Sequence, residues 1–176
     1  MPKICSIILV EDHVVVRNGF KELIQTMGNF KVTAEFDNGK QLIDKIGNLT
    51  ADLIIMDLTM PVMDGAAAVK WMKEHDIEIP VLILTLDTSD KTIIELYKLG
   101  IRGYLSKTCT ADTLKWALEE IQRTGYYHNE LLSVAMRNDQ QAKARDVNAD
   151  VLDKLTEREK HFLELVGDKE EYTYEQ

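Results

Sequence analysis

The segment Leu53-Ile54-Ile55-Met56-Asp57 is a short apolar run that ends abruptly in a carboxylate. Other short apolar runs of the chain also end in polar groups: residues 7–10 lead to Glu11 and Asp12, residues 81–84 to Thr85, and residues 104–105 to Lys107. Alternation of such runs with helical patterns is typical of a parallel sheet, whose chemistry gathers at the carboxyl ends of its strands. The pattern therefore predicts one crevice that contains three acids, one hydroxyl and one lysine.

Five strands are predicted in residues 1–125, each followed by a helical pattern. The strands are predicted at residues 4–10, 30–36, 53–56, 79–84 and 102–105. The clearest helix has Leu114, Ala117, Leu118 and Ile121 at positions i, i+3, i+4 and i+7. Short right-handed crossovers would place helices on both faces of the sheet. This arrangement predicts an α/β, flavodoxin-like (βα)5 fold with a parallel sheet in the order 2-1-3-4-5.

The character of the sequence changes after Gly125. Residues 126–150 are interpreted as a partly helical linker, in which residues 130–136 could form a short helix and residues 137–150 are polar. Residues 156–159 fit a capping box, in which a hydroxyl and a glutamate bond the free amides at the start of a helix, and residues 173–176 fit a second one. Because a helix that starts in the last four residues is not stable alone, residues 151–176 are predicted to be the first part of an incomplete all-α domain.

The composition argues against several classes of protein. Hydrophobic residues are 45% of the 176 residues, enough for a core, and the net charge of −9 argues against a complete DNA-binding surface. No DNA-binding residue is therefore predicted in this chain. The first residues lack the layout of a signal peptide, and no apolar stretch approaches the roughly 20 residues that span a bilayer. We expect a soluble, cytoplasmic protein with no membrane partner.

The predicted crevice suits phosphoryl chemistry. The carboxylates of Glu11, Asp12 and Asp57 repel one another when they are close, and Mg2+ relieves this repulsion because it prefers oxygen ligands. Lys107 supplies a positive charge for one phosphate oxygen, and the Thr85 hydroxyl can donate a hydrogen bond to another. A carboxylate accepts a phosphoryl group when a metal neutralises the incoming charge. We therefore predict a magnesium-assisted site in which Asp57 is the acceptor.

In order and spacing, these residues resemble the receiver domain of two-component response regulators. The resemblance is carried by Glu11-Asp12, Asp57, residues 60–65 (Met-Pro-Val-Met-Asp-Gly), Thr85, and residues 103–107 (Gly-Tyr-Leu-Ser-Lys). The tail, with residues 155–160 and Tyr174, resembles the start of a LuxR-type helix-turn-helix. Together the two matches make the chain similar to transcription regulators of the NarL/FixJ class.

The resemblance implies a role for each acidic residue of the crevice. Asp57 would be the phosphoacceptor and one of the groups around Mg2+. Asp12 would bind the ion directly, and Glu11 would act through a water molecule. The backbone carbonyl of Thr59 would be the third protein ligand.

The resemblance also implies a switch and a set of partners. Thr85 and Lys107 would hold the phosphoryl oxygens, and Tyr104 would turn inward when Thr85 shifts toward them. The phosphoryl donor would be a sensor histidine kinase, and the protein itself is not expected to be an enzyme. Phosphorylation would promote homodimerisation and, only through a complete C-terminal domain, DNA binding and control of transcription.

Two residues differ from the common receiver pattern. Leu86 follows Thr85, where small residues are usual, and its bulk leads to the hypothesis that the phosphate is lost slowly. Thr108 follows Lys107, where a proline in a cis bond is frequent. Because a cis bond before a non-proline residue costs about 2.5–4 kcal/mol, the geometry of this bond is left open.

Each of several residues also has a purely structural interpretation. Tyr104 can be a packing residue, and Thr85 or Asp12 alone can be a loop or helix cap. His13 is interpreted as an exposed residue at a helix start. Trp116 lies off the apolar stripe of its helix, which allows an interface role.

Three other functions are compatible with the predicted architecture. A stand-alone phosphotransfer or adaptor receiver would act through protein contacts alone, and the capping box after residue 155 argues against it. A flavin-binding flavodoxin shares the fold, but Glu11 and Asp12 would repel its phosphate. A haloacid-type phosphatase would have a second aspartate at position 59, where this chain has Thr59.

Overall fold

The computed structural model of the chain describes residues 4–87, 89–130 and 132–138. Within these residues the predicted alternation of strands and helices is confirmed. The strands are β1 (Cys5–Val10), β2 (Phe30–Phe36), β3 (Leu53–Met56), β4 (Val81–Thr85) and β5 (Gly103–Ser106). The helices are α1 (Val14–Thr26), α2 (Gly39–Lys45), α3 (Gly65–Glu74), α4 (Asp90–Leu99) and α5 (Ala111–Thr124), with a 3-10 turn at Ile46–Asn48. Residues 132–138 are also helical.

The strands form one parallel sheet in the order β2-β1-β3-β4-β5, which confirms the predicted order. The strand order reverses at β1 and β3, so the loops after these neighbouring strands leave a crevice between them. The bounds differ slightly from the prediction. β4 begins at Val81 rather than at residue 79 because Pro80 has no amide hydrogen for the ladder, and it extends through Thr85.

The sheet is covered on both faces, and successive residues of a strand pack into different cores. Ile8 and Ile54 belong to a core that includes buried residues of α2, α3 and α4. Ile7 and Leu53 belong to a second core, which includes buried residues of α1 and α5. The predicted stripe of α5, Leu114, Ala117, Leu118 and Ile121, is buried in this second core.

Four of the helices α1–α5 begin at a side-chain cap; at α2 the Asn38 side chain accepts a hydrogen bond from the Gln41 amide at 3.0 Å. Asp64 accepts a hydrogen bond from the Ala67 amide at 2.7 Å and so starts α3. Ser89 and Thr110 have the same role at α4 and α5. Each cap satisfies an amide that the first turn of a helix cannot pair, so the loops that precede these helices have defined ends.

The described residues up to Met136 belong to one compact unit, and a second unit begins at Arg137. The linker beyond residue 138, the predicted helix-turn-helix fragment at 151–176 and both capping boxes lie outside the described residues. Among the helices that the structure describes, none is long and apolar enough to cross a membrane.

Candidate functional site

The carboxyl ends of the central strands meet as the sequence predicts. Glu11 follows β1, Asp57 follows β3, and the Asp57 amide donates to the Val10 carbonyl at 2.9 Å. On the other side, the Lys107 amide donates to the Thr85 carbonyl at 2.9 Å, which places the loop after β5 beside the end of β4. The parallel ladder therefore brings these side chains to one edge of the sheet.

Lys107 bridges two buried carboxylates. Its Nζ lies 2.7 Å from Glu11 Oε2 and 2.9 Å from Asp57 Oδ2. The Glu11 and Asp57 side chains are only 3% and 4% exposed, and that of Lys107 is 13% exposed. Burial by itself lowers the pKa of Lys107, but hydrogen bonds to both carboxylates and their negative charges outweigh it, and the pKa lies above its ordinary value.

Asp12 and His13 form the outer side of the crevice. The Asp12 side chain is 22% exposed, and its Oδ1 is a buried atom that makes no hydrogen bond among the described residues. His13 Nδ1 lies 2.9 Å from this oxygen and 3.3 Å from Glu11 Oε1, so the first pair is at ion-pair distance without hydrogen-bond geometry. His13 is exposed at the start of α1, as expected, although the sequence did not indicate its closeness to both acids.

The donor set fits a hard divalent cation. One potential ligand atom each from Glu11, Asp12 and His13 lies within 4.8 Å of the others. Glu11, Asp12 and Asp57 carry three negative charges against the single positive charge of Lys107. The unbonded Asp12 oxygen is the strongest sign of a missing partner, because a buried carboxylate oxygen is unfavourable without one. The acidic cluster therefore fits the Mg2+ ion that the resemblance to receiver domains implies.

Arg17 is a residue of the site that sequence reasoning missed. Its Nη1 donates to the Glu11 carbonyl at 2.5 Å and to Asp37 Oδ1 at 2.6 Å, and its side chain is only 13% exposed. Arg17 therefore anchors the turn that presents Glu11 and Asp12. Because the residues involved come from β1, α1 and the loop after β2, no local pattern signalled this contact.

The loop between β3 and α3 packs tightly under Asp57. The Gly65 amide donates to the Leu58 carbonyl at 2.8 Å. A Cβ atom at position 65 would lie 2.5 Å from the Asp57 carbonyl oxygen, a distance that carbon and oxygen atoms do not tolerate. Thr59, whose carbonyl is the predicted metal ligand, is exposed in this loop, whereas Met60 is buried.

Thr85 and Tyr104 are both buried behind the crevice. The Thr85 hydroxyl accepts a hydrogen bond from the Asp87 amide at 3.3 Å. The Tyr104 ring is fully buried, and its hydroxyl has no hydrogen-bond partner among the described residues. Burial, with the charge of Asp87 as a second cause, raises the pKa of this hydroxyl. The full burial of its ring is compatible with the packing interpretation of Tyr104.

Thr108 takes the place of the frequent proline without a cis bond. All described peptide bonds are trans, including the one between Lys107 and Thr108. The Thr108 amide donates to Ser106 Oγ at 3.2 Å, and the two hydroxyls are 2.7 Å apart. The turn after β5 is thus closed by side-chain hydrogen bonds while Lys107 still reaches both carboxylates.

Leu86 directly follows Thr85 and is 70% exposed. We expect Leu86→Ala to shorten the lifetime of a phosphoryl group on Asp57 several-fold, because it removes bulk that limits the approach of water next to Thr85. The measurement is the decay of phosphorylated protein, followed by intact mass after removal of the donor. Leu86→Met is the matched control and should decay like wild type; equal decay in the alanine variant would contradict the hypothesis.

Comparison with known proteins agrees with this geometry. Residues 7–119 match the family model of the response regulator receiver domain. The chain is 42% identical over 110 residues to the transcriptional regulatory protein YdfI of Bacillus subtilis, covering 62% of this chain and 51% of YdfI. It is 32% identical over 162 residues to the response regulator protein VraR of Staphylococcus aureus, covering 92% of this chain and 75% of VraR. The chain thus spans about half the length of the first of these relatives and three quarters of the second.

A solved structure has the same fold. It is the two-component response regulator of the LuxR family from Aurantimonas sp. SI85-9A1, with a TM-score of 0.72, 25% identity and coverage of 78% of this chain and 99% of that one. The resemblance to receiver domains is therefore confirmed, and the LuxR-family relative agrees with the NarL/FixJ class. The match over residues 7–119 and the relationship to VraR show that the chain belongs to the response regulator receiver domain family.

Proposed function

We propose that the protein is a phosphorylation-activated response regulator in which Asp57 accepts a phosphoryl group from a sensor histidine kinase. The observation that carries the proposal is the buried bridge from Lys107 to Glu11 and Asp57. An ammonium held between two carboxylates keeps them together in a nearly water-free pocket. It also lies where a phosphoryl group on Asp57 would need a positive charge.

The protein groups can be assigned to the transfer. An Asp57 oxygen attacks the phosphorus of a phosphohistidine, the N–P bond breaks with its electrons on the imidazole, and an acyl phosphate forms. Lys107, 2.9 Å from Asp57 Oδ2, holds one of the new phosphoryl oxygens. The Thr85 hydroxyl uses a lone pair to accept from Asp87, so its hydrogen stays available for a second oxygen.

Mg2+ suits the acidic side of the pocket. Asp12, Asp57 and the Thr59 carbonyl would hold the ion, with Glu11 acting through a water molecule. When bound, Mg2+ would neutralise charge on the phosphoryl oxygens. The unbonded Oδ1 of Asp12 supports this assignment.

The output of the switch is proposed to be transcription control by a phosphorylation-dependent homodimer. YdfI is named a transcriptional regulatory protein, and a 162-residue similarity to VraR cannot fit within residues 7–119, so it extends into the tail. Residues 126–150 would be the linker and residues 151–176 would belong to a helix-turn-helix. DNA binding would need the complete C-terminal domain. Phosphorylation would shift a pre-existing equilibrium between two conformations.

Intact-mass analysis tests the acceptor. Incubation with acetyl phosphate and Mg2+ is expected to add one phosphate to wild-type protein and none to Asp57→Asn, because the amide is a far weaker nucleophile than the carboxylate. Asp44→Asn, which removes an exposed carboxylate on α2, is the matched control and should gain phosphate like wild type. A phosphate on Asp57→Asn, or none on wild type, would refute the proposal.

A further inference from the structure

The chain that follows α5 covers the outer edge of the sheet. β5 is the last strand in the sheet order, so its outward backbone groups have no neighbouring strand. The Tyr127 amide donates to the Arg102 carbonyl at 2.7 Å, and the Asn129 side-chain amide donates to the Tyr104 carbonyl at 2.7 Å. The described residues between 126 and 136, here called the strap, therefore cover part of the outer edge of β5.

Aromatic contacts attach the first part of the strap. The Tyr127 side chain is buried, with its ring edge-on to Trp116 at 5.5 Å between centroids. The Tyr97 hydroxyl of α4 donates to the Tyr127 carbonyl at 2.9 Å. The Arg102 guanidinium lies 4.4 Å from the centre of the Tyr126 ring. The strap is thus connected to α4, β5 and α5 by different kinds of contact.

The helical part of the strap completes the core around Tyr104. Asn129 Oδ1 accepts from the Leu132 amide at 3.0 Å and so starts the helix. Leu132 and Ala135 are buried in the same apolar core as Tyr104 and Leu96. Asn129 therefore has two separable functions: its amide nitrogen binds the Tyr104 carbonyl, and its oxygen caps the strap helix.

Tyr104 also neighbours the phosphoryl site. It pairs with Ile83 across β4 and β5, and Thr85 is on the same face as Ile83, two residues along β4. If the Thr85 hydroxyl moves toward a phosphoryl group on Asp57, it leaves space on the β5 side. Empty space in a packed core is unfavourable. Burial of the Tyr104 ring would therefore stabilise the phosphorylated protein more than the unphosphorylated one.

We propose that the strap positions Tyr104, so that docking of the strap and phosphorylation of Asp57 reinforce each other. Asn129 binds the backbone of β5 at Tyr104, and Leu132 packs in the same core as the tyrosine ring; together they keep this ring buried. The strap leads directly into residues 137–176, so its state would report phosphorylation to the rest of the chain. The inference rests on the proposed function, because it requires phosphorylation of Asp57. By thermodynamic linkage, phosphorylation of Asp57 stabilises the docked strap by the same free energy by which the docked strap stabilises the phosphorylated state.

Hydrogen exchange and intact mass, measured on the same samples of the full chain with acetyl phosphate and Mg2+, test the proposal. In wild type, phosphorylation is expected to slow amide exchange in the strap about 5-fold or more, the lower end of ordinary coupling between two sites. Asn129→Asp keeps the helix cap but cannot donate to the Tyr104 carbonyl. Leu132→Ala removes the buried contact. Both variants should lose the protection and hold less phosphate at a fixed concentration of acetyl phosphate.

Two controls separate positioning from general stability. Met136→Ala changes an exposed residue of the same helix and should behave like wild type. In a Tyr104→Ala background, Asn129→Asp should cause no further loss of phosphate, because the residue through which it acts is gone. If Asn129→Asp protein takes phosphate and protects its strap like wild type, the strap proposal fails while Asp57 remains the acceptor. If wild type takes no phosphate, both proposals fail.

Discussion

Lys107→Met is expected to lower the free energy of unfolding at pH 7 by about 3–5 kcal/mol, since it leaves two buried carboxylates without their cation. The side chains of Glu11 and Asp57 have almost no access to water that could replace the ammonium. The variant should also hold little phosphate, because no positive charge would remain beside Asp57, the proposed acceptor. Urea unfolding without Mg2+, followed by circular dichroism, measures the first effect, and intact mass after acetyl phosphate treatment measures the second.

A surface lysine provides the control for this experiment. Lys115 lies 4.0 Å from Glu119, and both side chains are about half exposed. Lys115→Met should cost less than about 1 kcal/mol, as exposed ion pairs contribute little. Equal losses in the two variants would show that the buried bridge stabilises the fold no more than a surface pair does.

The difference in unfolding free energy between wild type and Lys107→Met is expected to depend on pH. Contacts with Glu11 and Asp57 raise the pKa of Lys107 against the opposing effect of burial. A group with a raised folded pKa contributes its full stability below the unfolded pKa, about 10.4 for lysine, and loses it as the pH rises through the folded pKa. The stability difference between wild type and Lys107→Met should therefore shrink as the pH rises above about 10.4 and through the folded pKa of Lys107.

Gly65→Ala is expected to combine a stability loss of about 1–3 kcal/mol with a roughly 100-fold slower phosphorylation of Asp57. The added Cβ would lie 2.5 Å from the Asp57 carbonyl oxygen and 3.1 Å from the Leu58 Cα, so the backbone beneath the acceptor must move. A shift of about 1 Å at a reacting group is enough for a rate effect of this size. Urea unfolding and the time course of phosphate gain by intact mass are the measurements.

Gly19→Ala is the matched control, because position 19 lies on α1 and a Cβ atom there would meet nothing within 4 Å. Alanine is favoured over glycine inside a helix by up to about 1 kcal/mol, so this variant should be as stable as wild type or more stable. Unchanged phosphorylation in Gly65→Ala would mean that the loop relaxes without moving Asp57.

The central site could be predicted because parallel strands impose a simple rule. Once Leu53–Met56 is recognised as a buried strand, Asp57 must lie at its carboxyl end, beside the ends of β1 and β4. Lys107 could be placed near the acids for the same reason. The sequence could not predict that Lys107 contacts both Glu11 and Asp57, at 2.7 and 2.9 Å. The direction of the lysine side chain depends on the turn after β5, which a hydrogen bond from Thr108 closes.

The contacts missed by sequence reasoning are those between distant segments. Arg17 reaches back to the Glu11 carbonyl and across to Asp37, and nothing in helix periodicity distinguishes it from a surface arginine. Residues 126–136 fall in a part of the sequence interpreted as a partly helical linker, and in the structure Tyr127, Leu132 and Ala135 of this segment are buried in the two cores. Seven of these eleven residues are apolar, but the sequence does not show which face of the fold they cover; the tertiary contacts of Tyr127 and Leu132 identify them as part of the fold.

The strap also has a consequence for the behaviour of this domain in isolation. With residues 126–136 in place, the carbonyls of Arg102 and Tyr104 are covered by donors from the chain itself. A fragment cut at Gly125 would leave that margin of β5 open and would uncover apolar side chains of the core beside it. An uncovered edge strand can pair with a strand of another molecule, so such a fragment would be prone to aggregation. A fragment ending after Met136 would keep the edge of β5 covered.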